Sequence, residues 1–123
     1  MVKNYKDLLV WKKSMTLVTN VYKIVEKLPS EEKYGLKSQI RRSAVSIPSN
    51  IAEGHSRWYR KEFLHHLSIS YGSIAELETQ LLIAAELRFI KQDEVQSIFE
   101  KTTEIGKMIN GLRKKLKTTN PDH

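Results

Sequence analysis

Apolar residues return along this chain every three or four positions, and strict alternation is never sustained long enough to make a strand. The pattern breaks at Pro29-Ser30, across Gly54 to Tyr59 and from Arg88 to Gln92. The spacing therefore predicts four helices, over about 5–28, 35–54, 60–87 and 92–117. Connections this short join antiparallel neighbours. The expected fold is all-α, an antiparallel up-down four-helix bundle in a single domain over 1–123, with a disordered tail at 118–123.

Two of these helices carry more apolar surface than one core needs. In the first, Leu8, Trp11, Met15, Val18, Tyr22 and Val25 make one stripe, and Val10, Leu17, Val21, Ile24 and Leu28 make a second. At 100° per residue the two stripes lie about 115° apart. A bundle helix buries one stripe, so the other must cover a further surface or meet another subunit. The third helix repeats this. Phe63, Leu67, Ile74, Leu77 and Leu81 form one stripe, Leu64, Tyr71, Ala75 and Leu82 another, with Ile69, Ile83 and Leu87 elsewhere. The surplus predicts an oligomer. The fourth helix is simpler, with Val95, Ile98, Ile105, Met108, Ile109, Leu112 and Leu116 inward and Lys107, Asn110, Lys114 and Lys117 outward.

The second helix has a core face of Leu36, Ile40, Ala44, Ile47 and Ile51. Beside it Gln39, Ser43, Ser46, Asn50 and Glu53 make a polar stripe that must find partners if it is buried. Pro48 lies within this helix; lacking an N–H and opposing the Ala44 carbonyl, it predicts a kink. Hydroxyls of Ser43 and Ser46 are placed to satisfy carbonyls nearby. In an antiparallel hairpin Ser43 is expected opposite Gly72, where the missing side chain lets the backbones approach, and Gln39 opposite Glu76. Glu76 and Glu78 are then within reach of Arg42 or Gln39. On this reading Asn50 and Glu53 spend their polarity inside the protein.

Composition narrows the chemistry. No cysteine is present, which leaves no disulfide, no zinc-thiolate site and no thiol nucleophile, and fits a cytoplasmic protein. No stretch approaches the roughly 20 apolar residues of a membrane span. No nucleophile is paired with a base, and no glycine-rich phosphate loop occurs. His65 and His66 are adjacent, not at the i, i+4 spacing of a helical metal pair. Glu53 with His55 or His65 is the nearest approach to an acid–base pair. The expectation is no catalytic residue, no metal and no cofactor.

The net charge of +7 is uneven: +4 over 1–30, +2 over 31–59, −1 over 60–90 and +2 over 91–123. Such a balance suits a polyanion. Arg41-Arg42, the run Arg57-Trp58-Tyr59-Arg60-Lys61 and the group Arg113, Lys114, Lys115 and Lys117 are the clusters. In the middle one, aromatics suited to stacking on bases interleave with cations suited to phosphates. The fourth-helix cations also complement their own helix dipole.

"YKDLLVWKKS", "YGLKSQIRRSAVSIPSNIAEG" and "KEFLHHLSISYGSIAELETQL" resemble the 23S ribosomal RNA intervening-sequence proteins, also called the four helix bundle protein family, over residues 5–117. The resemblance implies a four-helix bundle that assembles as a homopentamer. Some members are encoded inside intervening sequences of 23S rRNA genes. A related branch, the accessory variability proteins of diversity-generating retroelements, binds nucleic acid and a reverse transcriptase. The family pattern falls on Trp11, Tyr34, Gly35, Gln39, Arg42, Ser46, Pro48, Asn50, Glu53, Gly54, Phe63, Gly72, Ser73, Glu76 and Glu78. Tyr71 stands where that pattern usually has alanine.

Together these readings predict a basic, homo-oligomeric, RNA- or other nucleic-acid-binding bundle. Lys12, Lys23, Arg57, Arg60, Lys61, Lys114 and Lys117 are the expected phosphate contacts. The alternative is a structural adaptor that recruits a protein through its spare apolar faces.

Overall fold

The computed structural model describes residues 2–118. Four helices carry the chain: α1 (Leu9–Val25), α2 (Leu36–Ser56), α3 (Arg60–Glu86) and α4 (Gln92–Lys117). Among the described residues there is no strand. The first helix starts later than its periodicity predicts. Asn4 accepts the Lys6 N–H and closes a 3-10 turn over Tyr5–Asp7, Leu8 is extended, and α1 begins only at Leu9. Thr118 still closes α4, its hydroxyl donating to the Lys115 carbonyl; the rest of the expected tail, 119–123, lies outside the described residues.

Local chemistry sets the other boundaries. The Glu32 carboxylate accepts the Leu36 N–H at 3.0 Å, satisfying an orphan donor of α2. Glu94 folds back to accept the Lys91 N–H at 3.0 Å and starts α4 in the same way. Lys27 hydrogen-bonds that carboxylate, and with the Lys91 N–H holds it below its ordinary pKa. Both later turns stop the preceding helix with a left-handed residue that is not glycine: Trp58 at φ 69° and Arg88 at φ 64°.

Contacts across each neighbouring pair rise in number along one helix as they fall along the other. Lys13 meets Glu104, and Lys27 meets Glu94, between α1 and α4. Thr102 donates to Glu78 at 2.6 Å, and Arg60 to the Leu116 carbonyl at 3.3 Å, between α3 and α4. Asn50 meets His66, and Ser46 meets Ser73, between α2 and α3. The four helices close a ring round a core of Leu17, Ile40, Ile47, Ile51, Leu67, Leu77, Leu81, Ile98, Ile105 and Ile109.

Tertiary packing chooses between the stripes. Of the second stripe, Val10, Leu17 and Val21 in α1 and Leu28 just beyond it are buried and Ile24 is partly buried, and Val25 of the first stripe joins them. Trp11 and Val18 are only partly buried, Met15 is exposed, and so is Tyr22, whose ring lies 5.0 Å from the Arg41 guanidinium of α2. In α3 the Phe63 stripe is core, while Ile69, Tyr71, Leu82, Ile83 and Leu87 are exposed.

The polar stripe of α2 meets serines of α3. Ser46 and Ser73 hydroxyls lie 2.8 Å apart, Ser70 donates to the Ile47 carbonyl, and Ser43 donates to Gln80 and to the Ile40 carbonyl. The helix is unbroken through the buried Pro48. Three sequence expectations are corrected here. Ser43 lies opposite Gln80, not Gly72. Gly72 is exposed, and a Cβ there would meet nothing within 4 Å. The close approach falls instead at Gly54, where a Cβ would lie 2.6 Å from the Cβ of His66 and 3.1 Å from the Phe63 ring. Gln39, Arg42 and Glu76 face solvent, and Glu78 turns away to α4. Asn50 with His66 and Ile47 with Ser70 lie within two residues of the simple hairpin count, whereas Ser46 reaches Ser73 about one turn, and Ser43 the long Gln80 side chain about two turns, further along α3.

Asn50 joins the seam to His66. Its amide nitrogen bonds the Ser46 carbonyl at 2.9 Å and so is the donor end, which leaves Oδ1 to accept from Nδ1–H of His66 at 2.9 Å. Asn50→Ala strands that buried ring N–H and is expected to cost about 1–3 kcal/mol. Urea unfolding checks this, and an unchanged midpoint would refute it. Glu53 does not share the seam. It is half-exposed and bonds Arg57 at 2.8 Å, 3.8 Å from His66 Nε2.

Candidate nucleic-acid interface

The bundle brings distant cations to one end. The N-terminal segment, the end of α2, the start of α3 and the end of α4 all meet there, as the Arg60–Leu116 and His55–Val2 hydrogen bonds show. Lys3, Lys6, Arg57, Arg60, Lys61, Lys114, Lys115 and Lys117 therefore share this end with few acids, chiefly Asp7, Glu53 and Glu62. The far end is balanced by pairs: Lys27 with Glu94 and Arg41 with Glu26.

The predicted contacts divide accordingly. Lys61, Lys114 and Lys117 are exposed, with no ion pair among the described residues. Arg60 is part-buried and bonds the Leu116 carbonyl at the C-terminus of α4. Arg57 is held by Glu53; that bond, then the nearby His66, keeps the Glu53 carboxyl below its ordinary pKa, and the Arg57 guanidinium is raised in turn. Lys12 lies one turn into α1, flanking the basic end. Lys23 does not join: it sits in the last turn of α1, about 21 Å from the start of the helix at Leu9.

Between these cations lies a cavity of about 480 Å³ lined by Tyr5, Gly54, His55, Trp58, Tyr59, Arg60, Phe63 and Leu116 together with residues 2–4. Trp58 is 82% exposed and Tyr59 68% exposed. Trp58 therefore does not cap the bundle end by burial. Tyr5 packs edge-on against Trp11 with ring centres 5.3 Å apart, and His55 against Phe63 at 5.5 Å. Lys3 and Tyr5 are not among the expected contacts, because a first helix running from residue 5 hides the turn that stands there. The signal was Asn4, a turn-forming residue that folds residues 2–5 back over the end.

No three of His, Cys, Asp and Glu among the described residues are placed to hold a metal ion. No helix among them is long and apolar enough to cross a membrane. Residues 6–111 match the family described as 23S rRNA-intervening sequence protein. The chain belongs to that family. A solved structure from Bacteroides thetaiotaomicron, described as a protein with unknown function from the S23 ribosomal protein family, is similar to it at 28% identity. The likeness covers 86% of this chain and 99% of that one, with a TM-score of 0.79. Among proteins of curated function, none matches.

Tyr71, the departure from the family pattern, lies on the α4 side of α3. Its ring edge faces Gly106, where a Cβ would sit 3.5 Å away, and the Arg113 guanidinium lies 5.8 Å from its centre. The larger ring is taken up by the α3–α4 contact.

Proposed function

We propose that this family member is a non-catalytic, homo-oligomeric protein that binds RNA, or another nucleic acid, through its basic end. The observation that carries the reading is the gathering of Lys61, Lys114 and Lys117, without ion partners among the described residues, beside two exposed aromatics. Phosphate binding there releases counterions, so affinity falls steeply with salt. Filter binding of single-stranded RNA at two salt concentrations tests this. No binding of any RNA or DNA at low salt overturns it.

The exposed Met15, Tyr22, Val45, Ile69, Leu82 and Ile83 support the oligomeric part, since side chains of this size gain free energy when covered. The family resemblance makes the proposed assembly a pentamer. A ring would repeat the basic end and add avidity. Light scattering on the eluted species is expected to give a mass several times the 14.3 kDa of one chain; a clean monomer refutes assembly. The same apolar faces favour a second reading, an adaptor for a protein such as a reverse transcriptase. In that case the partner binds with little dependence on salt, and RNA does not bind.

A further inference from the structure

Trp58 is costly to the fold. It occupies the left-handed position that ends α2, where a side chain is strained and glycine is not. Arg88 ends α3 in the same conformation, so the left-handed stop itself is a folding device. Arginine there leaves only a solvated cation at the surface. Trp58 adds an indole 82% exposed to water, followed by the 68% exposed ring of Tyr59. The left-handed stop serves the helix end, but the exposure of the indole is not repaid inside the bundle.

The cavity beneath supplies what the fold does not. Its volume of about 480 Å³ lies within the range of small-ligand sites. Aromatic rings of Tyr5, Trp58, Tyr59 and Phe63 line it, and Lys3 and Arg60 bring positive charge to it. Gly54 also lines it. Aromatic walls beside cations suit a flat π-system attached to an anion.

Resting on the nucleic-acid reading above, we propose that this cavity captures an unpaired nucleobase, stacked on Trp58, with its phosphate toward Lys3 and Arg60. The ring stays exposed because its partner is the base. Stacking of this kind is tolerant of sequence, so the site distinguishes single strands from duplexes and does not select one base.

The test compares single-stranded RNA of about 12 nucleotides with an abasic strand bearing the same phosphates, at about 50 mM salt. The wild-type protein is expected to bind the base-bearing strand roughly tenfold more tightly. Trp58→Gly is expected to lose that preference, keep its affinity for the abasic strand, and melt a few degrees higher because the left-handed strain is gone. Trp58→Phe keeps most of the preference. Three results overturn the proposal: a preference that survives in Trp58→Gly, no preference in the wild type, or a lower melting temperature, which would make the indole part of the fold. The first two leave the nucleic-acid reading standing if both strands still bind. Binding of neither strand by the wild type removes both.

Discussion

Gly54→Ala is expected to destabilise the protein by about 1–3 kcal/mol, although alanine is the better helix former. The added methyl would lie 2.6 Å from the Cβ of His66 and 3.1 Å from the Phe63 ring. The first of these is an atom next to the backbone, so no rotamer change relieves the clash, and α2 and α3 must separate. Gly72→Ala is the internal control. It places a methyl in open space on α3 and is expected to gain about 1 kcal/mol from helix propensity alone. Denaturant midpoints of the two variants, compared at one protein concentration, should move in opposite directions. If Gly54→Ala is as stabilising as Gly72→Ala, the helices do not touch where the fold requires it. If Gly72→Ala destabilises, a second subunit's backbone lies against that open face.

The second large effect is on binding. With about four phosphate contacts to a single strand, the salt slope is near −3, and affinity falls roughly fiftyfold between about 50 and 200 mM salt. Replacing Lys114 and Lys117 together with glutamate removes two of those contacts and adds repulsion. The slope is expected to shrink by about 1.4, with affinity at the lower salt falling at least about tenfold. Lys23→Glu removes a positive charge about 21 Å along α1 from Leu9 and should change the slope by less than one contact. Equal losses in both variants would mean that binding spreads over the whole surface, and the basic end would not be the site.

Much of this architecture is legible in the sequence because helical burial leaves a 3.6-residue trace. Val95, Ile98, Ile105, Ile109 and Leu116 announce the inner face of α4 without help from any other segment. The polar seam was legible in kind, since a stripe of serines and asparagine beside a core face must find partners, and Ser46 and Asn50 do find them. Its register was legible at Asn50 and Ile47, whose partners His66 and Ser70 lie within two residues of the hairpin count, and not at Ser46 and Ser43, whose hydroxyls reach Ser73 and the long Gln80 side chain further along α3. Glu53 illustrates a further limit. Its spacing puts it on the seam, yet it is half-exposed and its carboxylate bonds Arg57, four residues on in the same helix, with the His66 ring 3.8 Å away.

The sequence by itself determined the four helices, the amphipathic faces and the membership of the family, because each depends on residues close together in the chain or on their order. Tertiary structure alone decided which of two equally apolar stripes of α1 is core, which glycine lets α2 and α3 touch, and that cations from four separate segments share one end. Those outcomes depend on where helices lie in space, and a short-range pattern carries no such information. The same holds for Trp58. Its neighbours in sequence mark it as an aromatic among cations, but only the folded chain shows it strained, exposed and standing over a cavity.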